Sequence, residues 1–273
     1  MSDSAVLPPT SSVSDLLRAG QLNDAITVAN AAVRTAPTDI AQRVLLAELL
    51  LFAGNLERAD VILDAAGQFD PSVAVVVSEF RQLLRAETAR RQVLTEGRTP
   101  EILGSLSPDG QASLAALTAL RSQDTTQAAL HVAQAEALRP HTPGIANDQP
   151  FTDFRDADDL LPGHIETLTT TGKYFWVPLA RIESMLFHPP KRQRDLFWRR
   201  CSMSVQAGPE GDVYVPALYY TPTPSDTAHQ LGRATSWQEE NGIVRGVGQK
   251  IFMAGEHDYP IMDLHTVEFD TPA

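Results

Sequence analysis

The sequence predicts an α+β protein, in which an N-terminal α-solenoid of paired helices is followed by a small antiparallel β-rich domain, a barrel or a sandwich. Small and apolar residues repeat with a period of 34 in the first part of the chain. A segment rich in proline and without periodicity follows near the middle, and beyond it aromatic and alternating β-branched residues predominate. We therefore expect a leader at 1–12, helical repeats at 13–140, a linker at 141–150 and a β-rich domain at 151–273.

Composition restricts the class of protein. The 273 residues suffice for two domains, and a formal net charge of −12 argues against a nucleic-acid binder, which needs a basic surface. No apolar run is long enough to span a membrane, and the N-terminus lacks the pattern of a signal peptide. The single cysteine, Cys201, cannot form an internal disulfide, which fits a reducing compartment. We expect a soluble cytoplasmic protein without membrane insertion.

The most informative stretch is a helix–turn–helix unit at 40–71. Its first helix carries leucines and an alanine on one face, and a Gly-Asn turn leads into a second apolar helix that ends before a proline. The same signature occurs 34 residues earlier, where four residues correspond in order to Gly54, Leu56, Ala59 and Pro71: they are Gly20, Leu22, Ala25 and Pro37. This period, with small residues where helices approach each other, is typical of tetratricopeptide repeats. The N-terminal part is therefore predicted to be a tetratricopeptide-like α-solenoid.

The first unit begins after a leader rich in serine and proline, residues 1–12, which we expect to be flexible. Its first helix is short, from about Val13 to Ala19, as is usual for a terminal repeat. A helix is also predicted at 71–95, after the second unit. Its arginines alternate with glutamates, which indicates a solvated face with local ion pairs.

A degenerate third unit is predicted after a loop at 98–110. Helical character returns at 111–121 and again at 125–139. Ala128 precedes Pro140 by the same interval that separates the alanine and the proline in the first two units. This alignment places Gln123 at the position of the turn glycine.

The second half of the chain is predicted to be rich in strands. Seven runs of alternating or β-branched residues lie at 173–177, 181–187, 201–206, 212–218, 231–238, 244–253 and 261–269. Gly-containing segments at 208–211 and 240–242 have the composition of hairpin turns. Several short strands with few helices favour a compact antiparallel barrel or sandwich.

Five local motifs in this half occur in a characteristic order. They are Tyr174–Pro178 (YFWVP), Phe187–Arg199 (FHPPKRQRDLFWR), Val213–Tyr219 (VYVPALY), Leu231–Trp237 (LGRATSW) and Val244–Lys250 (VRGVGQK). Together with the preceding repeats, they resemble the ImpE family, also called SciE or TagJ, of accessory proteins in bacterial type VI secretion. The resemblance covers about residues 13–270.

The resemblance implies a non-enzymatic cytoplasmic protein that binds the small subunit of the contractile secretion sheath. It further implies action alongside the AAA+ ATPase that disassembles contracted sheaths. The family carries no catalytic residues, so none is transferred to this chain. Two alternatives stay open: an enzyme or a small-molecule or metal binder in the β-rich domain with the repeats as a docking arm, and a generic chaperone-like tetratricopeptide scaffold.

Stacked helix pairs present a concave surface lined by the first helix of each pair, and such surfaces bind extended peptides or short helices. In the second unit the positions predicted to face this groove are Ala41, Val44, Leu45, Glu48, Leu51 and Phe52. An apolar floor with one acidic residue, Glu48, suits an amphipathic helix that carries a basic residue. The alternative is that Leu51 and Phe52 pack against the β-rich domain or the neighbouring repeat.

A second candidate surface is the basic segment at 191–200, in which arginines and a lysine alternate with aromatic residues. Its candidate contact residues are Arg192, Arg194 and Trp198, which we expect to attract an acidic partner surface or phosphate. In the alternative interpretation, Arg194 and Asp195 form structural ion pairs and Trp198 belongs to the core.

Catalytic, cofactor and metal sites are not predicted. His164 and Glu166 have the spacing of a zinc-deaminase motif, but the paired cysteines of that site cannot occur in a chain with one cysteine. The densest set of possible metal ligands, His257, Asp258, Asp263 and His265, is better explained as surface residues.

Overall fold

The computed structural model describes residues 12–69, 73–222 and 226–270. The chain divides into two compact units, Met1–Val77 and Ser78–Ala273. None of the described helices is both long and apolar enough to cross a membrane.

The helices of the first unit are α1 (Val13–Arg18), α2 (Leu22–Thr35), α3 (Ile40–Phe52) and α4 (Leu56–Phe69). Each helix packs against the next one in the chain. Ala25 and Ala59, which correspond to each other in the repeat, are fully buried, as close helix approach requires. Ser12 caps α1 by accepting a hydrogen bond from the N–H of Asp15. The rest of the predicted leader lies outside the described residues, and so does Pro71, which was predicted to close the second repeat.

The turn between paired helices has the same hydrogen bonding at all three predicted repeats. Gly20, Gly54 and Gln123 adopt left-handed backbone conformations, with φ of 75°, 76° and 60°. In each turn this residue donates its N–H to the carbonyl three residues earlier, and the next residue donates to the carbonyl five residues earlier, at 2.8 to 3.0 Å. Gln123 therefore occupies the place of the turn glycine, as the sequence alignment of the units predicted.

The helices α5 (Ala74–Glu96), α6 (Pro108–Arg121), α7 (Thr125–Leu138) and α8 (Thr227–Gln230) follow. From Ser78 onward they belong to the second unit together with the strands, so the structural division falls much earlier than the predicted boundary at 141–150. The reason is chemical: Arg90 of α5 bonds to Glu166 of a strand, and Glu87 of α5 accepts a hydrogen bond from the indole of Trp198.

The strands are short and lie mostly in one large sheet. They are β1 (Glu101–Ile102), β2 (Gly144–Ala146), β3 (Gln149–Phe151), β4 (Phe154–Asp156), β5 (His164–Leu168), β6 (Tyr174–Pro178), β7 (Ile182–Phe187), β8 (Trp198–Val205), β9 (Glu210–Pro216), β10 (Thr235–Glu240), β11 (Ile243–Gly248), β12 (Ile251–Ala254), β13 (His257–Pro260) and β14 (Thr266–Phe269).

Nine strands form the large sheet in the order β1-β6-β5-β9-β8-β7-β14-β2-β3. The strands β13-β12-β4 form a second sheet, and β10 pairs with β11. All pairs are antiparallel except β1 with β6, which confirms the predicted antiparallel β-rich region. The outermost strands β1 and β3 are not paired with each other, so the described strands do not close into the barrel that was one predicted form. The segment predicted as a linker contributes β2 and most of the edge strand β3.

The main hydrophobic core is shared by the nine-stranded and the three-stranded sheets. Phe154 of β4 and Phe252 of β12 stack with ring centroids 5.3 Å apart, and Phe269 of β14 meets Phe154 edge-on at 5.5 Å. Both Phe154 and Phe252 are almost fully buried, which fixes the three-stranded sheet against the larger one.

Candidate partner-binding site

The six residues predicted to face a groove all lie on α3, but they are not equally accessible. Ala41 is exposed, and Val44 and Leu45 are half-buried. The other three residues, Glu48, Leu51 and Phe52, retain only 5%, 0% and 4% of their exposure. They cannot form an open floor in this conformation, so that part of the groove prediction is corrected. The accessible surface of α3 is limited to its first two turns.

The burial of α3 has a reason that is visible in its sequence. Every residue from Leu46 to Phe52 is buried, which covers nearly two full turns. A helix that is apolar on all sides is a core helix and not an amphipathic one. The sequence of this run therefore does not show whether a given face of α3 lines an open groove or packs in the interior.

In the basic segment, one of the three candidate contact residues is accessible. Arg192 is exposed, whereas Arg194 and Trp198 retain 6% and 0% of their exposure. Arg194 donates to Glu79 at 2.9 Å, lies 3.9 Å from the Asp195 carboxylate and stands over the ring of Phe80 at 5.0 Å. These contacts match the alternative interpretation of the segment, with internal ion pairing and a core tryptophan.

We expect Arg194→Ala to lower the free energy of unfolding of the second unit by about 2 kcal/mol, since it leaves Glu79 without a charged donor and removes a buried side chain. Arg192→Ala is the matched control and should cost less than about 0.5 kcal/mol. Urea unfolding followed by tryptophan fluorescence measures both, because all three tryptophans belong to this unit. Equal costs for the two variants would contradict the structural role of Arg194.

A dense group of buried charged side chains forms a network that sequence reasoning missed. Glu166 of β5 lies at its centre, with Arg90 at 2.8 Å, the ammonium of Lys250 at 3.0 Å and the donating hydroxyl of Tyr174 at 2.6 Å. Lys250 also contacts Asp156 at 2.5 Å. These four charged residues are at most 5% exposed, and each is paired with an opposite charge, as burial of charges requires.

The same cluster continues to the β10–β11 hairpin. The hydroxyl of Tyr219 donates to Asp156 at 2.8 Å, and Arg245 donates to Asp158 at 2.9 Å. Between these groups and Arg90 lies a cavity of about 20 Å³, room for about one water molecule and too small for a substrate. The network therefore holds α5 and three strand regions together.

The pKa values in this network follow from burial and pairing. Burial alone would raise the pKa of Glu166, but Arg90 and Lys250 outweigh it and hold that pKa well below its ordinary value. Burial would also lower the pKa of Lys250, yet Asp156 and Glu166 raise it. Glu166 and Lys250 consequently remain charged near neutral pH, a state suited to structural ion pairing and not to proton transfer.

His164 contacts two polar side chains of α6 and its N-cap, Asp109 and Ser107, and not the ligand set of a zinc deaminase. The hydroxyl of Ser107 is 3.2 Å from Nε2 of His164, and the carboxylate of Asp109 is 3.5 Å from Nδ1. The sequence of contacts Ser107–His164–Asp109 resembles a serine nucleophile with its base and the acid that orients the base. Ser107, however, caps α6 by accepting a hydrogen bond from the N–H of Gly110. A Cβ added at Gly110 would lie 2.9 Å from His164 Nε2, so the contact is tightly packed. We interpret it as a link between α6 and β5.

The possible metal ligands near the C-terminus do not converge. His257, Asp258, Asp263 and His265 are all exposed. Within the described ranges, no three His, Cys, Asp or Glu side chains are grouped as a metal site would require. Burial raises the pKa of Cys201 to about 12, which leaves its thiol protonated and unreactive near neutral pH.

Comparison with known proteins agrees with the repeats and with the motifs. The ImpE protein family matches residues 148–268, and the tetratricopeptide repeat family matches residues 16–78. The type VI secretion system accessory component TagJ of Pseudomonas aeruginosa is 31% identical over 94% of this chain and 90% of its own length. The crystal structure of protein VPA1032 from Vibrio parahaemolyticus superposes with a TM-score of 0.89 at 30% identity, covering 95% of this chain and 98% of that one.

Proposed function

Because the chain belongs to the ImpE/TagJ family of type VI secretion accessory proteins, we propose that it is a cytoplasmic adaptor that binds the small subunit of the contractile sheath. The observation that carries the proposal is the similarity to TagJ across nearly the whole chain, repeats included. The bound element is a short helical segment of the sheath subunit. The adaptor acts without chemistry of its own.

The physical basis for binding is the paired-helix architecture of the first unit. Repeats of this kind use the first helix of a pair to contact a peptide or helix. On α3 the accessible residues of the predicted set are Ala41, Val44 and Leu45, which occupy neighbouring positions on one side of its first two turns. A small and two branched apolar side chains there suit the apolar face of a helix.

Binding is tested by titrating the purified small sheath subunit with the full chain and with the double variant Val44→Glu/Leu45→Glu. We expect the variant to bind at least tenfold more weakly, about 1.4 kcal/mol, since two carboxylates would be desolvated against an apolar face. Val61→Glu on α4 is the matched control, because Val61 is an apolar side chain that is already 66% exposed. Equal affinity of wild type and double variant would move the contact away from α3.

The second part of the proposal is that the adaptor influences how the AAA+ ATPase handles contracted sheaths. If it presents or shields the segment that the ATPase engages, adding the chain changes the rate at which purified sheaths are disassembled. Light scattering of sheaths with the ATPase, in the presence and absence of the chain, measures this rate. A rate that stays the same while the sheath subunit is bound would reject this part and leave the adaptor role standing.

A further inference from the structure

The turn of the β10–β11 hairpin consists of an asparagine followed by a glycine. Asn241 and Gly242 adopt left-handed conformations, with φ of 52° and 79°, and the turn pairs Glu240 with Ile243, so it is a two-residue turn of type I′. Both turn residues are exposed. Of the five asparagines in the chain, Asn241 is the one that precedes a glycine. Because glycine has no Cβ, its backbone nitrogen is the least hindered toward a neighbouring side chain.

A second turn of the same form provides a comparison within the molecule. Asn147 and Asp148 join β2 to β3 with φ of 47° and 64°. The carboxamide of Asn147 is held on both sides by backbone groups of residues 263–266: it donates to one carbonyl and accepts from two N–H groups, at 2.7 to 3.2 Å. Among the described residues, the carboxamide of Asn241 makes one hydrogen bond, in which Nδ2 donates to the hydroxyl of Thr125 on α7 at 2.6 Å. The two asparagines therefore share a backbone conformation but differ in restraint.

The two hairpins also differ in how the rest of the protein supports them. The β2–β3 hairpin belongs to the nine-stranded sheet, in which β14 lies beside β2. Of the described strands, β10 pairs only with β11, and its residues from Trp237 to Glu240 are exposed. A two-stranded ribbon is marginally stable without further packing, and its end opens locally more often than a hairpin within a large sheet. The turn at Asn241 therefore opens more readily than the turn at Asn147.

We propose that Asn241 is a site of spontaneous deamidation, at which the chain acquires an isoaspartyl linkage. When the turn opens, the backbone nitrogen of Gly242 attacks the side-chain carbonyl carbon of Asn241, its proton passes to water, and the side-chain nitrogen leaves as ammonia. Water then opens the cyclic imide, at the side-chain carbonyl to give aspartate or at the backbone carbonyl to give isoaspartate. One water is consumed and one ammonia is released overall, so the reaction needs no enzyme, cofactor or oxidant.

The two products have different effects on the contact between the hairpin and α7. In the aspartate product the carboxylate accepts a hydrogen bond from the hydroxyl of Thr125, beside the N-terminus of α7, where negative charge is favourable. In the isoaspartyl product the side-chain methylene becomes part of the main chain. The connection between Glu240 and Ile243 is then one carbon longer and no longer fits the type I′ turn. The isoaspartyl form therefore releases the tip of the hairpin from α7.

The site is tested by incubating the full chain in mildly alkaline buffer and mapping tryptic peptides by mass spectrometry over days. We expect the peptide Ala234–Arg245, whose single asparagine is Asn241, to gain the mass that replacement of NH2 by OH gives, at least tenfold faster than Asn147 reacts. Methyl transfer by a protein isoaspartate methyltransferase identifies the isoaspartyl product. An unmodified Ala234–Arg245 peptide, or equal rates at the two asparagines, would overturn the proposal.

The matched control is Gly242→Asp, which gives this turn the same residue pair as the β2–β3 turn. A Cβ added at Gly242 would meet no heavy atom within 4 Å apart from its neighbours in the chain, so the turn accommodates the change. We expect deamidation at Asn241 to slow at least tenfold, because the attacking nitrogen then carries a hindering side chain. A rate equal to that of wild type would contradict the assigned attack by Gly242.

The restraint by α7 is tested with Thr125→Val, which removes the hydroxyl with little change of shape. We expect about threefold faster deamidation of Asn241, since its carboxamide loses the hydrogen bond to α7. Thr126→Val, at the next and exposed position of α7, is the control and should leave the rate unchanged. Equal rates in the two variants would show that the contact with α7 does not protect Asn241.

The structural consequence is tested by hydrogen exchange of the isoaspartyl form, separated from the unmodified protein by ion exchange. We expect the amides of β10 and β11 to exchange faster than in the unmodified protein, while those of the nine-stranded sheet are unchanged. Asn241→Asp, which keeps the length of the main chain, should exchange as wild type does. Unchanged exchange of β10 and β11 in the isoaspartyl form would contradict the release of the hairpin.

Discussion

Replacing Glu166 by glutamine is expected to destabilise the second unit by about 3 to 5 kcal/mol. The substitution leaves the guanidinium of Arg90 and the ammonium of Lys250 facing each other across a neutral amide, at sites 2% and 4% exposed. Glu87 still pairs with Arg90 and Asp156 still pairs with Lys250, but the amide removes the charged acceptor that both cations and the hydroxyl of Tyr174 share, and the loss of several buried charged hydrogen bonds accounts for this magnitude. For a unit of this size the midpoint of thermal unfolding should fall by about 10 °C.

Tryptophan fluorescence follows this transition, since Trp176 and Trp198 are buried in the same unit. The matched control is Asp212→Asn, another carboxyl-to-amide change. Asp212 pairs with Arg200 at the surface, where the two side chains are 40% and 48% exposed, so its loss should cost less than about 1 kcal/mol. A cost for Glu166→Gln no larger than that of the control would show that the network does not stabilise the fold.

The pH dependence of the same variant gives an independent check. The pKa of Glu166 is lowered from an ordinary value of 4.5, so its stabilisation is complete above that pH and is lost as the pH falls. The difference in unfolding free energy between wild type and Glu166→Gln should therefore be constant near neutral pH and narrow below about pH 4.5. A difference that widens toward acid would contradict the assigned charge state.

Glu48→Lys is expected to destabilise the first unit by about 3 kcal/mol or more. Glu48 lies on α3 with buried neighbours on every side from Leu46 to Phe52, so the substitution places an ammonium in a desolvated position. Any weaker binding of the sheath subunit would then come from unfolding of α3 and not from a lost contact. The first unit contains no tryptophan, so its unfolding in urea is the transition that appears in far-UV circular dichroism, which also reads the helices of the second unit, but not in tryptophan fluorescence.

The control for this variant is Glu57→Lys, an identical charge reversal at an exposed position of α4. It should change the unfolding free energy by less than about 0.5 kcal/mol. If Glu48→Lys were as stable as this control and still bound the sheath subunit more weakly, Glu48 would be an accessible contact, and the groove first predicted on α3 would be restored.

The repeats were predictable because each depends on local chemistry. The turn at Gly54, the small Ala59 and the 34-residue spacing are short-range features, and they identify the same turn at Gln123, where glycine is absent. In the β-rich part the existence of strands was predicted, but the strands β2 to β5 and β13 were missed. The run 244–253 was predicted as one strand, whereas β11 ends at Gly248 and β12 begins at Ile251. Gly248 has φ of 91°, which breaks the extended conformation there.

The functional surfaces were harder to predict, since they depend on contacts distant in sequence. Arg90 and Glu166 are 76 residues apart, and Asp156 and Lys250 are 94 apart. No spacing rule relates such residues, and a buried charge looks like a surface charge until its partner is known.

The central claim is that this protein is an adaptor that recognises a short helical segment of the small sheath subunit. We expect that segment to be an N-terminal helix of the subunit. Isothermal titration of the full chain with the intact subunit, and with a subunit that lacks its N-terminal segment, therefore tests the proposal most directly. We expect the intact subunit to bind with a Kd in the micromolar range or tighter, which corresponds to a binding free energy of about −8 kcal/mol. The truncated subunit should show no binding. The claim would be contradicted if the intact subunit showed no binding at about 100 μM, which means a binding free energy weaker than about −6 kcal/mol. Equal binding of the intact and the truncated subunit would also contradict it.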